Sequence, residues 1–453
     1  MSSSSRSGGV SNASTESHPS GSIHSLAIQA RDEPSCRRVL DMPFRHFVIW
    51  AYCFAASDDA WWKNGFTADE RRKEYDEIHA LTRHLLTTYS GTGKSFYLGH
   101  WEGDWYLLPN YTTTTNPSPT VIQGMIDWLN TRQQAVDDAT RDTPHSDVHV
   151  YHYTEANRVR DAMVNGPGSN RRLVNTVLPH VPQLDFVSWS SYDGQNLGTA
   201  DLHATLDYLE AHLPTNKTAT IPGRRVMIGE YGWGGTLSST AQEPPTRAYL
   251  QRLLPWSPRF ILFWEIYDNE GKAYWLIDRE GARTPCFDLH QRFLNEARLR
   301  TARFRESSGR LPSDTEFAGL LTASLDRPLP APVPFAWGPP EVLSTNGVAA
   351  TVRGRLTPGI YGDEIAKVSV FWGRHNGGTN PAEWEQRAML GENTRFNPTA
   401  FEARLAPLVA GTRYTFRFLA TNANASGWSS SAGTFVTGTP DRPALNIRLL
   451  DRE

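Results

Sequence analysis

The chain reads as an α/β domain on a parallel sheet, followed by a small all-β sandwich. Three observations predict this. Apolar, strand-like runs alternate with helical stretches between residues 44 and 299, the signature of repeated βαβ units. The helical pattern gives way to a proline-rich run, PLPAPVP, at 328–334. Beyond it, short alternating runs are separated by Gly, Pro and Asn turns, as in a sandwich of roughly 100 residues.

The elements follow in order. Residues 1–40 are Ser/Gly-rich and polar and are expected to be disordered or weakly structured, with one short strand at 23–29. FRHFVIWAYCFA (44–55) is a continuous apolar run, as a strand buried on both faces requires. Thr67-Ala68-Asp69-Glu70 has capping-box spacing and opens a helix to about residue 89, with Tyr75, Ile78, Leu81 and Leu85 on one stripe. Strands are expected at 95–99, 148–153, 185–192, 225–230 and 259–267, and helices at 120–138, 171–178, 202–213, 246–254 and 287–299. The resulting organisation is a polar N-terminus (1–40), an α/β domain (41–300), a linker (301–333), a β-sandwich (334–440) and a tail (441–453).

Composition narrows the function. The net charge of −3, without a basic block, gives no footprint for nucleic acid or an anionic membrane surface. No apolar run reaches the roughly 18 residues of a membrane span, and the N-terminus lacks the apolar centre of a secretory signal. Three cysteines, Cys36, Cys53 and Cys286, form neither a disulfide framework nor a metal set. No metal or cofactor is expected. The chain has 15 Trp, 16 Tyr and 19 Phe, and many of the tryptophans fall just past strand ends, as on a sugar-binding surface.

Two stretches carry the candidate chemistry. SFYLGHWEGDW (95–105) begins as a buried strand, then places His100, Trp101, Glu102, Asp104 and Trp105 at its C-terminal lip. RVMIGEYGW (225–233) has the same form and ends on Glu230. Ionisable groups mixed with indoles at a strand end suit a pocket that protonates a polar substrate and stacks a flat ring. Glycoside hydrolysis needs one carboxyl that keeps its proton and one that is ionised, in environments that push their pKa values apart. Trp101 and Trp105 could desolvate Glu102, and Tyr192 could donate to Glu230. Glu155 is read as a loop cap or hydroxyl acceptor, and Glu265 as an ion-pair partner.

LAPLVAGTRYTFRFLATN (405–422) resembles the fibronectin type III family, with Tyr414 as the tyrosine that ties a strand corner to backbone. That resemblance implies a spacer or attachment module and extracellular or cell-surface company. The first domain resembles the glycoside hydrolases of the large (β/α)8-barrel clan. In that clan the acid/base Glu ends strand four and the nucleophile Glu ends strand seven, three strands apart, as Glu102 and Glu230 are here. The resemblance implies a (β/α)8 TIM-type barrel, incomplete at its N-terminus because strands one and two are missing or short. It implies a retaining glycosidase acting on a β-linked oligo- or polysaccharide, with Trp264 flooring a sugar site. Trp50, His100, Trp101, Asp104 and Tyr192 would join Trp264 in substrate contact. The clan's Asn before its acid/base Glu is replaced here by Trp101. The alternative is a non-catalytic carbohydrate-binding or cell-surface protein on a degenerate barrel.

Overall fold

The computed structural model describes residues 23–438, except 59, 235–237, 239–240, 268–270, 326–334, 357–365, 394–398 and 422–425. The polar segment 1–22, the tail 441–453, the proline run, Asp59, Asp268 and Asn422 therefore lie outside the described residues. The chain divides into two compact units, Met1–Thr284 and Pro285–Glu453.

The first unit begins with two short helices, α1 (Leu26–Asp32) and α2 (Pro34–Asp41), where a strand at 23–29 was expected. Ser25 caps α1, Pro34 starts α2, and Leu26, Ala30 and Leu40 join the core between helix and sheet. Five parallel strands follow: β1 (His46–Trp50), β2 (Lys94–Gly99), β3 (Val148–Ala156), β4 (Phe186–Ser190) and β5 (Val226–Glu230), in sheet order β1-β2-β3-β4-β5. Helices connect them. α3 (Ala68–Thr88) carries the capping box at Thr67 and Glu70 and leads to β2. α4 (Gly103–Leu107) and α5 (Pro119–Asp142) lead to β3, α6 (Val159–Ser169) and α7 (Leu173–Thr176) to β4, and α8 (Thr199–Ala211) to β5. α9 (Glu243–Leu253) comes next.

This sheet corrects the expectation of a (β/α)8 barrel. It is an open half-barrel of five parallel strands among the described residues. The expected strand at 259–267 appears only as an irregular segment beside β5: around the Ile228–Ile261 bridge, the N–H groups of Arg259, Ile228, Leu262 and Trp264 bond to the carbonyls of Val226 (2.8 Å), Phe260 (2.8 Å), Ile228 (3.0 Å) and Tyr231 (2.9 Å). The physical reason lies at both ends of the sheet. The described residues before β1 form helices, so among them no strand continues the sheet. Rings fill the gap between the edges: His46 meets Phe260 at 5.1 Å and Trp50 meets Trp264 at 5.6 Å.

The strand alternation explains how so few strands enclose an interior. Phe47 and Ile49 of β1, Phe96 and Leu98 of β2, and Val148 and Val150 of β3 face the helices. Val48, Tyr97, Tyr151 and Tyr153 face the other way and cluster with Phe186, Met227 and Phe260. Large rings thus occupy the volume that further strands would otherwise surround.

The second unit opens with α10 (Pro285–Ser308) and α11 (Asp314–Leu325), across the stretch read as a linker. A sandwich follows. One sheet contains β6 (Glu341–Thr345), β7 (Ala350–Leu356) and β10 (Thr399–Leu405), and the other β8 (Ala366–Gly373), β9 (Gln386–Asn393), β11 (Arg413–Thr421), β12 (Ser426–Trp428) and β13 (Gly433–Val436). Val352 and Leu405 from one sheet meet Val370, Phe416 and Phe418 from the other in one core. The Tyr414 hydroxyl accepts the Val409 N–H at 3.0 Å, the corner contact expected from the sequence.

A buried ion pair ties the helices to the C-terminal strand ends of the half-barrel. Arg132 on α5 and Glu74 on α3 are 0% and 1% exposed and meet at 2.7 Å. Arg132 also donates to the carbonyls of Ala51 (2.9 Å) and Gly99 (3.2 Å), at the ends of β1 and β2. Removing one partner of such a pair leaves an uncompensated buried charge. Glu74→Ala is therefore expected to cost about 3–5 kcal/mol in urea unfolding; a loss below about 1 kcal/mol would show that the pair does not hold these strand ends.

Candidate active site

Glu102 lies just past β2, and its backbone N–H donates to Glu155 Oε1 at 3.0 Å. Glu155 stands near the end of β3 and takes a second hydrogen bond from Ser188 Oγ of β4 on Oε2, at 3.2 Å. On β5, Gly229 leaves room for both. A Cβ there would lie 2.0 Å from Ser188 Oγ and 2.7 Å from Glu155 Oε2. One buried carboxylate thus locks the ends of β2 and β4 together beneath β5.

Glu230 is the last residue of β5. Tyr192, just past β4, donates its hydroxyl to Glu230 Oε2 at 3.1 Å. Ser191 Oγ donates to the Glu230 carbonyl at 3.1 Å and is itself bonded by the Tyr249 hydroxyl at 2.7 Å. Gln195 exchanges both of its amide groups with Gly232, fixing the turn that follows.

Both glutamates open onto one cavity of about 290 Å³. Trp101, Trp105, Trp264, Tyr192 and Tyr274 supply its rings, and Asn157, Arg158, Asp193 and Lys272 supply further polar groups. Burial pushes the Glu102 carboxyl up to about 8, the neighbouring Glu155 adds to this, and a hydrogen bond from Trp105 opposes it. Trp105 thus acts partly as a donor, where the sequence reading gave it only a desolvating role. Burial likewise raises Glu155, while the Glu102 N–H and the serine hydroxyls pull it back. Asp193 is raised to about 6 by burial and held down by Arg158.

The expected contact residues divide into two groups. Trp101, Tyr192 and Trp264 line the cavity with the two glutamates. Trp50 is 40% exposed and lies behind Trp264 at 5.6 Å, outside the lining. His100 and Asp104 are corrections, because both are fully buried and neither lines the cavity. His100 Nε2 pairs with Thr154 Oγ1 at 2.6 Å and Nδ1 with the Trp101 carbonyl at 2.9 Å; burial drives its pKa down to about 3. The Asp104 carboxylate accepts the N–H groups of Asn157 (2.9 Å), Arg158 (3.0 Å) and Leu173 (2.7 Å), and so anchors the segments entering α6 and α7. Sequence reasoning missed Asn157, Arg158, Lys272 and Tyr274. Asn157 and Arg158 directly follow the β3 strand end, a position that could have flagged them. Lys272 and Tyr274 belong to the loop after Trp264, which has no strand pattern to place it.

Among the described residues, no group of three or more His, Cys, Asp or Glu is placed to hold a metal ion, and no helix is long and apolar enough to cross a membrane.

No known protein family matches the chain, and no curated protein does. Among solved structures, a beta-glucuronidase of Bacteroides uniformis aligns over 89% of this chain at 10% identity with a TM-score of 0.36. The chain spans 43% of that enzyme's length. The sensor domain of the anti-sigma factor RsgI4 of Pseudobacteroides cellulosolvens aligns with 25% of this chain and 97% of its own, at 18% identity and a TM-score of 0.18. The third fibronectin III domain of human KIAA0343 aligns with 25% of this chain and 89% of its own, at 16% identity and a TM-score of 0.19. These are distant likenesses, and none places the chain in a family.

The raised Glu102 carboxyl has a signature in stability. The native state keeps this proton from the ordinary value of 4.5 up to about 8, whereas the unfolded chain has released it. The contribution is therefore fully present below pH 4.5 and is lost as pH rises through about 8. Wild-type urea midpoints should fall with pH across this window, and those of Glu102→Gln should fall less. Parallel curves for the two proteins would contradict the assignment.

Proposed function

We propose that the first unit is a glycosidase that cleaves a β-linked oligo- or polysaccharide by a retaining, two-carboxylate mechanism. The observation that carries this reading is that Glu102 and Glu230 line the same ring-bearing cavity in unlike environments. Glu102 is buried and keeps its proton near neutral pH. Glu230 receives the Tyr192 hydroxyl on one oxygen. In this reading Glu102 protonates the glycosidic oxygen as the bond to the leaving sugar breaks. Glu230 attacks the anomeric carbon and forms a glycosyl ester, while the Tyr192 hydroxyl orients its carboxylate. Glu102, now ionised, takes a proton from water, and the resulting attack releases the sugar with its configuration retained.

The remaining residues fall into supporting roles. Trp101, Trp264 and Tyr274 offer flat faces to the apolar side of a sugar ring, and Asn157 and Lys272 reach its hydroxyls. Glu155 positions Glu102 without touching substrate. In this reading the second unit serves as a fibronectin-like spacer, and the company such modules keep supports a location outside the cytoplasm or at the cell surface.

Turnover of a panel of aryl β-glycosides tests this. Glu102→Gln and Glu230→Gln should each lose at least about 10²-fold in kcat/KM, the scale of a lost general acid or more. The loss in Glu102→Gln should shrink with dinitrophenyl leaving groups, which depart without protonation. Proton NMR of the first-formed product should show the β anomer. Full turnover in both variants would refute the assignment, and sugar binding without any hydrolysis would favour a purely carbohydrate-binding role.

A further inference from the structure

A second cavity, of about 620 Å³, is formed by the segments around Trp61 and Tyr111. From its geometry we infer that it is a distal subsite for a further unit of a neutral saccharide chain, making the substrate an oligo- or polysaccharide longer than a disaccharide. This rests on the proposed glycosidase reading for what happens in the first cavity, but not for what binds in the second.

Three observations carry it. The first is proximity. The two linings touch through a pair of rings, Trp101 on the first and Tyr106 on the second, packed edge to face with centroids 5.9 Å apart. The Tyr52 hydroxyl joins the two sides, lying 3.0 Å from the Tyr106 hydroxyl and accepting the Trp101 N–H at 2.8 Å. This wall immediately flanks Glu102, so a chain with one unit held beside Glu102 has the second cavity as its next resting place.

The second observation is the lining. Trp61, Tyr106 and Tyr111 supply rings, and Lys63, Asn64 and Asp58 supply donors and acceptors. Rings with hydrogen-bonding groups at their borders suit a sugar, which has an apolar face and a hydroxyl rim. The third is that two of these side chains make no hydrogen bond among the described residues. Lys63 is half-buried and lies over the Tyr106 ring at 5.9 Å, yet among the described residues it makes no hydrogen bond or ion pair. Tyr111 is 61% exposed and sits at φ +54°, next to Asn110 at φ +52°. Two consecutive non-glycine residues in the left-handed region are uncommon, and this turn leaves a large ring at the rim of the cavity. Glu70, by contrast, is taken up by the cap at Thr67 and is not available to a ligand.

The test uses the full chain, with Tyr111→Ala and Lys63→Met as variants outside the first cavity. Pairs of β-1,3- and β-1,4-linked gluco-, manno- and galacto-oligosaccharides of two and six units are the probes, with an aryl glycoside as the short control. The wild type should prefer the six-unit member of its series. Each variant should lose about tenfold of that preference, the equivalent of about 1.4 kcal/mol of binding, with aryl-glycoside turnover unchanged. A six-to-two ratio that is the same in wild type and both variants would overturn the inference while leaving the glycosidase reading intact. If no probe is cleaved, the glycosidase reading fails, and calorimetric titration with the six-unit series decides the subsite. Weaker binding to Tyr111→Ala than to wild type supports it; equal affinity, or no binding to either, overturns it.

Discussion

The Glu155 carboxylate is the constraint on which the cavity face of the sheet depends. One of its oxygens fixes the backbone of Glu102, and the other takes the Ser188 hydroxyl. It approaches β5 only because residue 229 has no side chain. A carboxylate buried in this way is costly unless its oxygens are bonded. The arrangement therefore holds together as a unit: the β2 strand end, the β4 serine and the β5 glycine each make the others possible. Its proximity also raises Glu102, so the same group that positions the proposed acid helps it keep its proton.

An open half-barrel can therefore hold a cavity with both glutamates on its lining. The cavity draws on residues that follow β2, β3 and β4, on the last residue of β5, and on Trp264 and the loop beyond it. Among the described residues, none of its lining comes from the helices before β1. The missing enclosure is supplied by side chains. Tyr97, Tyr151, Tyr153, Phe186 and Phe260 fill the interior, and the Trp50–Trp264 and His46–Phe260 contacts stand where hydrogen-bonded strands would close the wall. Stability and chemistry are thus separated: the rings hold the sheet's curvature, while the strand ends hold the carboxyl groups.

Much of this was legible in the sequence, for physical reasons. The five paired strands, the capped helix at Thr67 and the corner tyrosine of the sandwich follow from local patterns of period and capping, which need no knowledge of distant residues. Glu102 and Glu230 were visible because charged groups beside indoles at a strand end serve a core badly. The failures were all tertiary. His100 and Asp104 have the same residue character as Glu102, but they point inward to Thr154 and to the N–H groups around α6 and α7, and only the fold decides which way a strand-end side chain turns. The helices at 26–41 were missed because their few apolar residues, Leu26, Ala30 and Leu40, give too weak a stripe until α3 and the sheet are in place to receive them. The barrel was over-read because spacing between the two glutamates counts strands between them and says nothing of the strands outside.

The central claim is that Glu230 becomes covalently bonded to sugar while Glu102 supplies and recovers the proton. Its most direct test is incubation with a panel of cyclophellitol-type epoxides of gluco, manno, galacto and glucurono configuration, followed by peptide mass spectrometry. The account predicts a single stoichiometric adduct on Glu230, formed faster when Glu102 is intact to protonate the epoxide. An adduct on Glu102, Glu155 or Asp193 instead, or no adduct from any epoxide in the panel, would contradict it.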